Sequence, residues 1–229
     1  MKAVLMLLLL VSNAHALDGN EILQRVDEVR NPSNSYVTKV RVKSTSETED
    51  FNFQVFLKGN NKTLVRSLSP KKILGRNMLM IDENMWVYVP NLKRAVRVSL
   101  SQKLVGEAAN GDISRMRWHG DYQAKIESEN NKEYVLYLEQ TKKGLTYPKL
   151  RVVVAKKTFH PIRAQFLTLT DKVLKNAEYL DYKNLAGRSR PSRVRITDAL
   201  KKDNFSDIIV DEVEVKNLPD SMFTEKSIE

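Results

Sequence analysis

The alternation of apolar and polar residues that begins near residue 36 constrains the fold more than any other feature. Every second residue is apolar along Tyr36–Val42 and again along Phe51–Leu57, so each segment is predicted to be a β-strand with one apolar face. Turn-forming residues such as Gly59-Asn60-Asn61 separate neighbouring segments. No long helical pattern lies between them, which argues against a parallel sheet. The sequence therefore predicts an antiparallel, mainly β (α+β) fold.

Roughly eleven to thirteen such segments follow one another in up-and-down order. An antiparallel sheet of this size must curl, and closing or nearly closing it hides its edges. A barrel with this many strands is too wide for its own side chains to fill, so it must be plugged by helices or hold a ligand.

The first sixteen residues have the features of a secretory signal. Lys2 precedes an apolar run over Ala3–Val11, and Ala14-His15-Ala16 matches the small-x-small cleavage pattern. We expect cleavage after Ala16; a short N-terminal anchor is the alternative. No linker or repeat divides the remainder, so residues 17–229 are predicted to form one domain.

Two ends of the mature chain are predicted to be helical. Asp18 and Glu21 form a capping-box pattern at the start of a helix with an apolar stripe, and Asn31-Pro32 ends it. Near the other end, Pro219 suits the first position of a short closing helix.

The stretch Met85–Gly106 begins as two strands and then changes period. Leu100, Leu104 and Val105 are spaced for one helical face, Ser99 or Ser101 could cap the start and Gly106 could end it. We therefore predict a short helix here, either a movable lid over the sheet or ordinary core. Glu107–Gly120 is predicted to be a long loop with one or two helical turns.

The composition limits which cellular compartment and which binding partners are expected. The net charge of +10 is spread over most strands rather than gathered on one element, so no nucleic-acid partner is expected, and anionic lipid head groups are more accessible to an exported protein. Most of these charges are expected simply to be solvated. The chain has no cysteine, which excludes disulfides and favours a bacterial periplasm over a eukaryotic secretory route.

The sequence contains few residues suited to catalysis. After the signal, His119 and His160 are the only histidines, and no metal-ligand, nucleophile or phosphate-loop motif is present. His119 is the only residue that could be considered catalytic, and it lacks a matched partner. We therefore expect no enzyme activity, no metal site and no cofactor.

The inward-facing apolar strand residues are the candidate lining of a ligand cavity, although ordinary core is the alternative for each. Both faces of Met78–Ile81 and Met85–Val89 are apolar, which suggests that a helix covers the outer face of these strands. The candidate cavity residues are Tyr36, Val40, Val42, Phe51, Phe53, Val55, Leu57, Met78, Met80, Trp86 and Tyr88.

The order of several features resembles the LolA/LolB-like superfamily, and within it the branch of outer-membrane lipoprotein-sorting proteins. The features are the capped first helix, the Trp86-x-Tyr88-x-Pro90 corner with Arg94 and Arg97, the segment Ser99–Gly106 and the ending Leu218–Thr224. The likeness spans nearly the whole mature chain. One departure is that Gly106–Asp112 lacks the aromatic residues that relatives often have there.

The resemblance implies an incomplete, strongly curved antiparallel β-barrel with helices packed in its opening. It also implies a hydrophobic cavity that accepts the acyl chains of lipoproteins or other lipids. On this reading the protein is a monomeric periplasmic carrier that receives cargo from an inner-membrane transporter and passes it to an outer-membrane acceptor. The alternative is a lipid-independent periplasmic adaptor that partners an exporter of hydrophobic molecules.

Overall fold

A computed structural model describes residues 17–229; the predicted signal peptide lies outside the described residues. The chain opens with helix α1 (Gly19–Arg30). The predicted capping box is confirmed, since the Glu21 N–H donates to the Asp18 carboxylate and the Asp18 N–H donates to the Glu21 carboxylate, both at 2.8 Å. No helix between residues 17 and 229 is long and apolar enough to cross a bilayer.

The first half of the chain forms a meander of six antiparallel strands. They are β1 (Ser35–Ser44), β2 (Phe51–Lys58), β3 (Lys62–Ser69), β4 (Met78–Ile81), β5 (Asn84–Val89) and β6 (Arg94–Val98). Short 3₁₀ turns occur at Lys71–Ile73 and Pro90–Leu92.

The second half forms a meander of seven antiparallel strands. They are β9 (Tyr122–Glu129), β10 (Glu133–Gln140), β11 (Lys149–Ala155), β12 (Pro161–Leu167), β13 (Val173–Leu185), β14 (Arg188–Asp198) and β15 (Phe205–Val215). Because β1 pairs with β15, the two meanders merge into one curved sheet of thirteen strands whose edges are β6 and β9. This is the predicted curved antiparallel sheet, and it is not closed.

Residues 99–121, here called the plug segment, connect the two edges of the sheet. The segment contains the small hairpin β7 (Lys103–Val105) and β8 (Ala108–Ala109), followed by the one-turn-plus helix α2 (Asn110–Ser114). In a closed up-and-down barrel β6 would pair with β9. Here the plug segment lies over the concave face between them, and α1 packs against β9 and β14.

The predicted helix over Ser99–Gly106 is wrong, because this stretch forms a turn and strand β7. Ser99 and Ser101 offer the backbone a local alternative to the helix, since the Ser101 N–H donates to the Ser99 hydroxyl at 3.2 Å. Leu100 and Val105 are buried and Leu104 is half-buried, so the apolar spacing is used by a hairpin instead. The predicted helical turn in the loop that follows is confirmed as α2.

The sheet buries apolar side chains on both faces. The concave face holds the main core, under α1 and the plug segment. On the convex face a second cluster forms around Leu64 and Leu79, covered by Leu218, Phe223 and Ile228. The covering segment contains 3₁₀ turns at Asp220–Met222 and Glu225–Ile228, so the predicted closing helix and the predicted cover on the outer face are the same element.

Candidate functional site

The concave face contains two apolar chambers, one on each side of the plug segment. The first, here called the inner cavity, has a volume of about 90 Å³ and lies between the plug segment and the wall formed by β1 and β12–β15. Its wall includes Tyr36, Val40, Ile196 and Ile208. Val194, Val210 and Val213 of the same wall are half-buried and line the cavity.

The second chamber, here called the edge groove, lies beside the free edge β6 and has a volume of about 280 Å³. Strands β2 and β4–β6 form its floor and β7 forms its side. The apolar lining consists of Phe51, Phe53, Ile73, Met78, Val87, Val89, Val96, Val98, Leu104 and Val105.

The hairpin of the plug segment is fitted closely onto β1 and β15. Gly106 has φ +55, and a Cβ there would collide with the side chains of Ser44 and Ser206, so the position requires glycine. The Glu107 N–H donates to the Ser206 hydroxyl at 2.8 Å. The Lys175 ammonium donates to the Glu107 carbonyl. The hairpin lines the edge groove through Leu104 and Val105, whereas the following helix α2 lines the inner cavity through Asp112 and Ile113.

The α2 part of the plug segment is held by polar contacts. The Thr63 hydroxyl on β3 donates to the Ser114 carbonyl at 2.7 Å, and the Ser114 hydroxyl donates to the Asn110 carbonyl at 2.8 Å. Gly111 packs so closely on Thr146 that a Cβ would collide with it. Few large apolar side chains of this part are fully buried; Ile113 is one.

A buried ion pair fixes the middle of the plug segment to its end. The Arg115 guanidinium donates to both carboxylate oxygens of Asp121, and its Nη2 lies 3.5 Å from Glu83. Burial by itself lowers the pKa of Arg115, but Asp121 and Glu83 more than offset it and hold the pKa above its usual value. Breaking this pair by removing one partner would leave a buried charge without compensation.

Asp27 joins the end of the plug segment to α1. Its Oδ2 accepts the backbone N–H groups of Trp118 and His119, both at 2.7 Å, and its Oδ1 lies 3.1 Å from Arg30 Nη1. The Arg30 guanidinium also stacks over the Trp118 ring at 3.6 Å. His119, the only candidate catalytic residue from sequence, is exposed, and its backbone N–H serves this junction.

One carboxyl group of the inner cavity is poorly solvated. Asp112 Oδ2 accepts the Ala109 N–H at 2.8 Å and the Tyr147 hydroxyl at 3.0 Å. Burial raises the pKa of Asp112 to about 6, despite these hydrogen bonds and the nearby Lys175. Asp112 therefore changes charge inside the site near neutral pH.

The structure brings most of the predicted cavity residues to one face. Tyr36 and Val40 line the inner cavity, and Phe51, Phe53 and Met78 line the edge groove. Val42, Val55, Leu57 and Met80 are buried in the same concave core without lining either chamber. Of the predicted lid residues, Leu104 and Val105 line the edge groove, and Leu100 is buried where the plug segment packs against the concave core.

Trp86 and Tyr88 lie on the convex face, so their placement on the cavity wall is wrong. They belong to the second cluster, with Leu79 and the C-terminal segment. Both residue parities of β5 are apolar, and Met85 and Val87 face the concave side instead. The alternation could not indicate which parity faces inward.

Several lining residues come from parts of the chain that sequence reasoning did not select. Phe166 and Tyr179 alternate on their strands like the selected residues, so the same signal could have identified them. Arg30, Arg117 and Arg190 had no such signal, because each lies on a different element. The unselected residues lining the inner cavity include Arg30, Ile113, Met116, Arg117, Trp118, Tyr147, Phe166, Tyr179, Arg190, Val194, Ile196 and Ile208.

Comparison with known proteins places this geometry in a family. The crystal structure of a LolA superfamily protein from Nitrosomonas europaea is 32% identical and superposes with a TM-score of 0.84, over 92% of this chain and 99% of that one. A domain assigned to outer membrane lipoprotein sorting, from Vibrio parahaemolyticus, is 20% identical with a TM-score of 0.73, over 92% and 97% of the two chains.

A DUF1329 family protein from Desulfovibrio piger is 19% identical with a TM-score of 0.77, over 92% of this chain and 98% of that one. A family model described as "Uncharacterized protein" matches residues 59–229. No curated protein matches the chain. The identity and near-complete coverage of the Nitrosomonas europaea relative show that the chain belongs to the LolA superfamily.

Proposed function

We propose that this protein is a periplasmic carrier that binds the acyl chains of lipoproteins or other lipids on its concave face and passes them toward the outer membrane. One observation supports it above all: an apolar concave face is covered by a plug segment that leaves an apolar chamber on each side. The relative assigned to outer membrane lipoprotein sorting has the same fold, which agrees with this use of the face. No enzymatic step is part of the proposal.

The two chambers differ in what they offer a ligand at rest. A volume of about 90 Å³ in the inner cavity is close to that of a small ring and below that of a long acyl chain. Cargo binding therefore requires the plug segment to move away from the sheet and merge the inner cavity with the edge groove. This movement also exposes buried apolar side chains of the segment, including Leu100, Val105 and Ile113, which a bound acyl chain must cover again.

Burial of the bound acyl chain supplies the free energy that works against the cost of this opening. Burial of an acyl chain contributes about 0.8 kcal/mol per methylene, so a chain of about sixteen carbons gains about 12 kcal/mol before the costs of ordering and opening. The opening breaks the Thr63–Ser114 and Glu107–Ser206 hydrogen bonds, at about 1 kcal/mol each, and exposes buried apolar side chains of the plug segment such as Ile113.

The chain contains two tryptophans, one on each face, which makes a direct test possible. In a Trp86→Phe variant, Trp118 on the inner cavity is the only tryptophan, and titration with a long-chain lipid should change its fluorescence. Lipids extracted from the purified protein and identified by mass spectrometry would show what it binds in the cell.

Leu104 gives a sharper variant because it is half-buried and lines the edge groove. We expect Leu104→Asp to weaken lipid binding at least tenfold while lowering stability little, since the side chain is at the groove surface. Leu200→Asp, at a leucine that is 81% exposed, is the matched control and should change neither. Equal losses of binding and stability in Leu104→Asp would assign Leu104 to the core.

Transfer between an inner-membrane transporter and an outer-membrane acceptor, by a monomer, completes the proposal. If the purified protein bound no lipid but captured a membrane transporter, the lipid-independent adaptor would replace the carrier.

A further inference from the structure

Three arginines meet at one end of the inner cavity, where α1 ends, the β13–β14 hairpin turns and the plug segment rejoins the sheet. Arg30 is the last residue of α1, Arg117 is in the plug segment and Arg190 is on β14. All three line the cavity. They are here called the arginine cluster. The neighbouring Pro32, Leu185 and Pro191 are half-buried, so this end of the cavity lies near the surface.

Carboxylates balance only part of the positive charge of the arginine cluster. Arg30 pairs with Asp27 at 3.1 Å. Arg117 donates to the Ser33 carbonyl at 2.7 Å, and Arg190 donates to the carbonyls of Leu185, Glu28 and Val29. Among residues 17–229 neither Arg117 nor Arg190 forms an ion pair, and residues 1–16 contain no Asp or Glu.

Neutral carbonyls compensate only part of two guanidinium charges. The Glu28 and Val29 carbonyls belong to the last turn of α1, whose negative dipole end supplies some of that compensation. The pKa of the Arg190 guanidinium is lowered, mainly by burial and secondarily by the positive charge of its neighbour Arg188. A lowered pKa is expected for an arginine that has no carboxylate partner. Two arginines held by carbonyls beside a cavity therefore retain the capacity to bind an anion.

The Tyr36 hydroxyl marks where the three charges converge. It donates to the Asn31 side-chain oxygen at 2.9 Å. Burial raises the pKa of Tyr36, and Arg117, Arg30 and Arg190 act against that rise. From this point the apolar wall continues through Val40, Val194 and Val213, so the charged end and the apolar wall belong to one continuous surface.

We propose that the arginine cluster binds the anionic headgroup, a phosphate or a carboxylate, of the amphiphile whose acyl chain lies along the inner cavity. The placement of the chain rests on the proposed function; the placement of the headgroup is the new step. Guanidinium groups match the geometry of both anions through paired N–H donors. The cargo would then be selected for a negative headgroup as well as for its chain.

Three ligands with chains of similar length and different headgroups test this proposal: palmitate, palmitoyl lysophosphatidic acid and the neutral 1-hexadecanol. Their affinities would be measured through Trp118 fluorescence in the Trp86→Phe protein, below the aggregation concentration of each ligand. We expect at least tenfold tighter binding of the anionic ligands than of hexadecanol. The ratio between palmitate and lysophosphatidic acid distinguishes carboxylate from phosphate as the preferred headgroup.

Arg117→Gln should weaken binding of the anionic ligands about tenfold without changing hexadecanol binding, and so remove most of the preference for an anionic headgroup. Arg117→Lys, which retains the positive charge, should keep part of this preference. Arg163→Gln, at an exposed arginine of β12, makes the same change in net charge and should leave the preference intact. Thermal unfolding followed by circular dichroism verifies that the variants fold, and Arg190→Lys gives a second variant that retains the charge.

Equal affinity for neutral and anionic ligands would overturn the headgroup proposal and leave the carrier function standing. The same loss of preference in Arg163→Gln would overturn it too, because the effect would then be long-range. Binding of none of the three ligands would overturn both proposals.

Discussion

At the scale of single residues, the packing and the charge of the site depend on a few individual positions. Gly106 is the clearest, because the plug hairpin can approach β1 and β15 only where no Cβ intervenes. Asp112 is another, because a carboxyl group enclosed by the cavity wall cannot ionise as easily as one in water. Each leads to a measurable consequence.

Gly106→Ala should destabilise the protein by about 2–4 kcal/mol, from the positive φ and from the collision with Ser44 and Ser206. Gly187→Ala is the matched control: its φ is +80, but no atom lies within 4 Å of the added Cβ. We expect about 1 kcal/mol there. Urea unfolding measures the free energy of unfolding of both variants. Equal losses of stability in the two variants would mean that the plug hairpin relaxes away from the sheet without cost.

Asp112 should make the stability depend on pH. A carboxyl whose pKa is about 6 in the folded state and 3.8 unfolded binds more protons when folded, so its contribution is full at low pH and is lost as the pH rises to about 6. The difference corresponds to at most about 3 kcal/mol. Asp112→Asn keeps an acceptor for the Ala109 N–H and removes the ionisation.

The unfolding free energy of the wild type relative to Asp112→Asn should therefore fall between pH 4 and pH 7. Taking the difference between the two proteins removes the contributions of other titrating groups. A difference that stays constant over this range would show that Asp112 ionises as it does in water.

At the scale of elements, the C-terminal segment has a structural role that its short length conceals. It covers Leu64, Leu79 and Trp86 on the convex face, which explains why β4 and β5 are apolar on both faces. The sheet separates the concave face from the convex cluster, so a substitution in the convex cluster can lower stability without altering the concave face.

Phe223→Ala should lower stability by about 3–5 kcal/mol, because Phe223 is buried in that cluster. Met222→Ala, at its half-buried neighbour, should cost much less. In a Trp118→Phe background, Trp86 fluorescence should shift to longer wavelength in the Phe223 variant. The amount of lipid bound per folded molecule should be unchanged in the Phe223 variant. If lipid binding fell together with stability, the cargo would be bound on the convex face.

At the scale of the whole molecule, the two meanders form one continuous wall, and the plug segment lies outside its ladder of strands. Strands are held by continuous ladders, whereas the segment is held by isolated polar contacts, a short hairpin and a few buried apolar side chains such as Leu100 and Ile113. The same topology that leaves β6 and β9 unpaired gives the segment its position between them.

Hydrogen exchange should separate these two parts. Amides of residues 99–121 should exchange by a local opening of lower free energy than the global unfolding that exposes β1, β14 and β15. A bound lipid should slow exchange of the segment and leave the strands unchanged. Exchange of the segment at the global rate would make it part of the permanent core and contradict an opening mechanism.

The local features of this protein could be predicted from its sequence because their causes are local. The capping box of Asp18 and Glu21 depends on residues three apart, and the strand pattern depends on alternation within each segment. Tertiary structure decided which face of β5 points inward, since Trp86 and Val87 are both apolar and only the C-terminal segment distinguishes their sides. It also decided that Leu100–Val105 forms a turn and a hairpin, because Gly106 fits against Ser44 and Ser206 from distant strands. The convergence of Arg30, Arg117 and Arg190 was likewise invisible in sequence, because three separate elements bring them together only when the sheet curls.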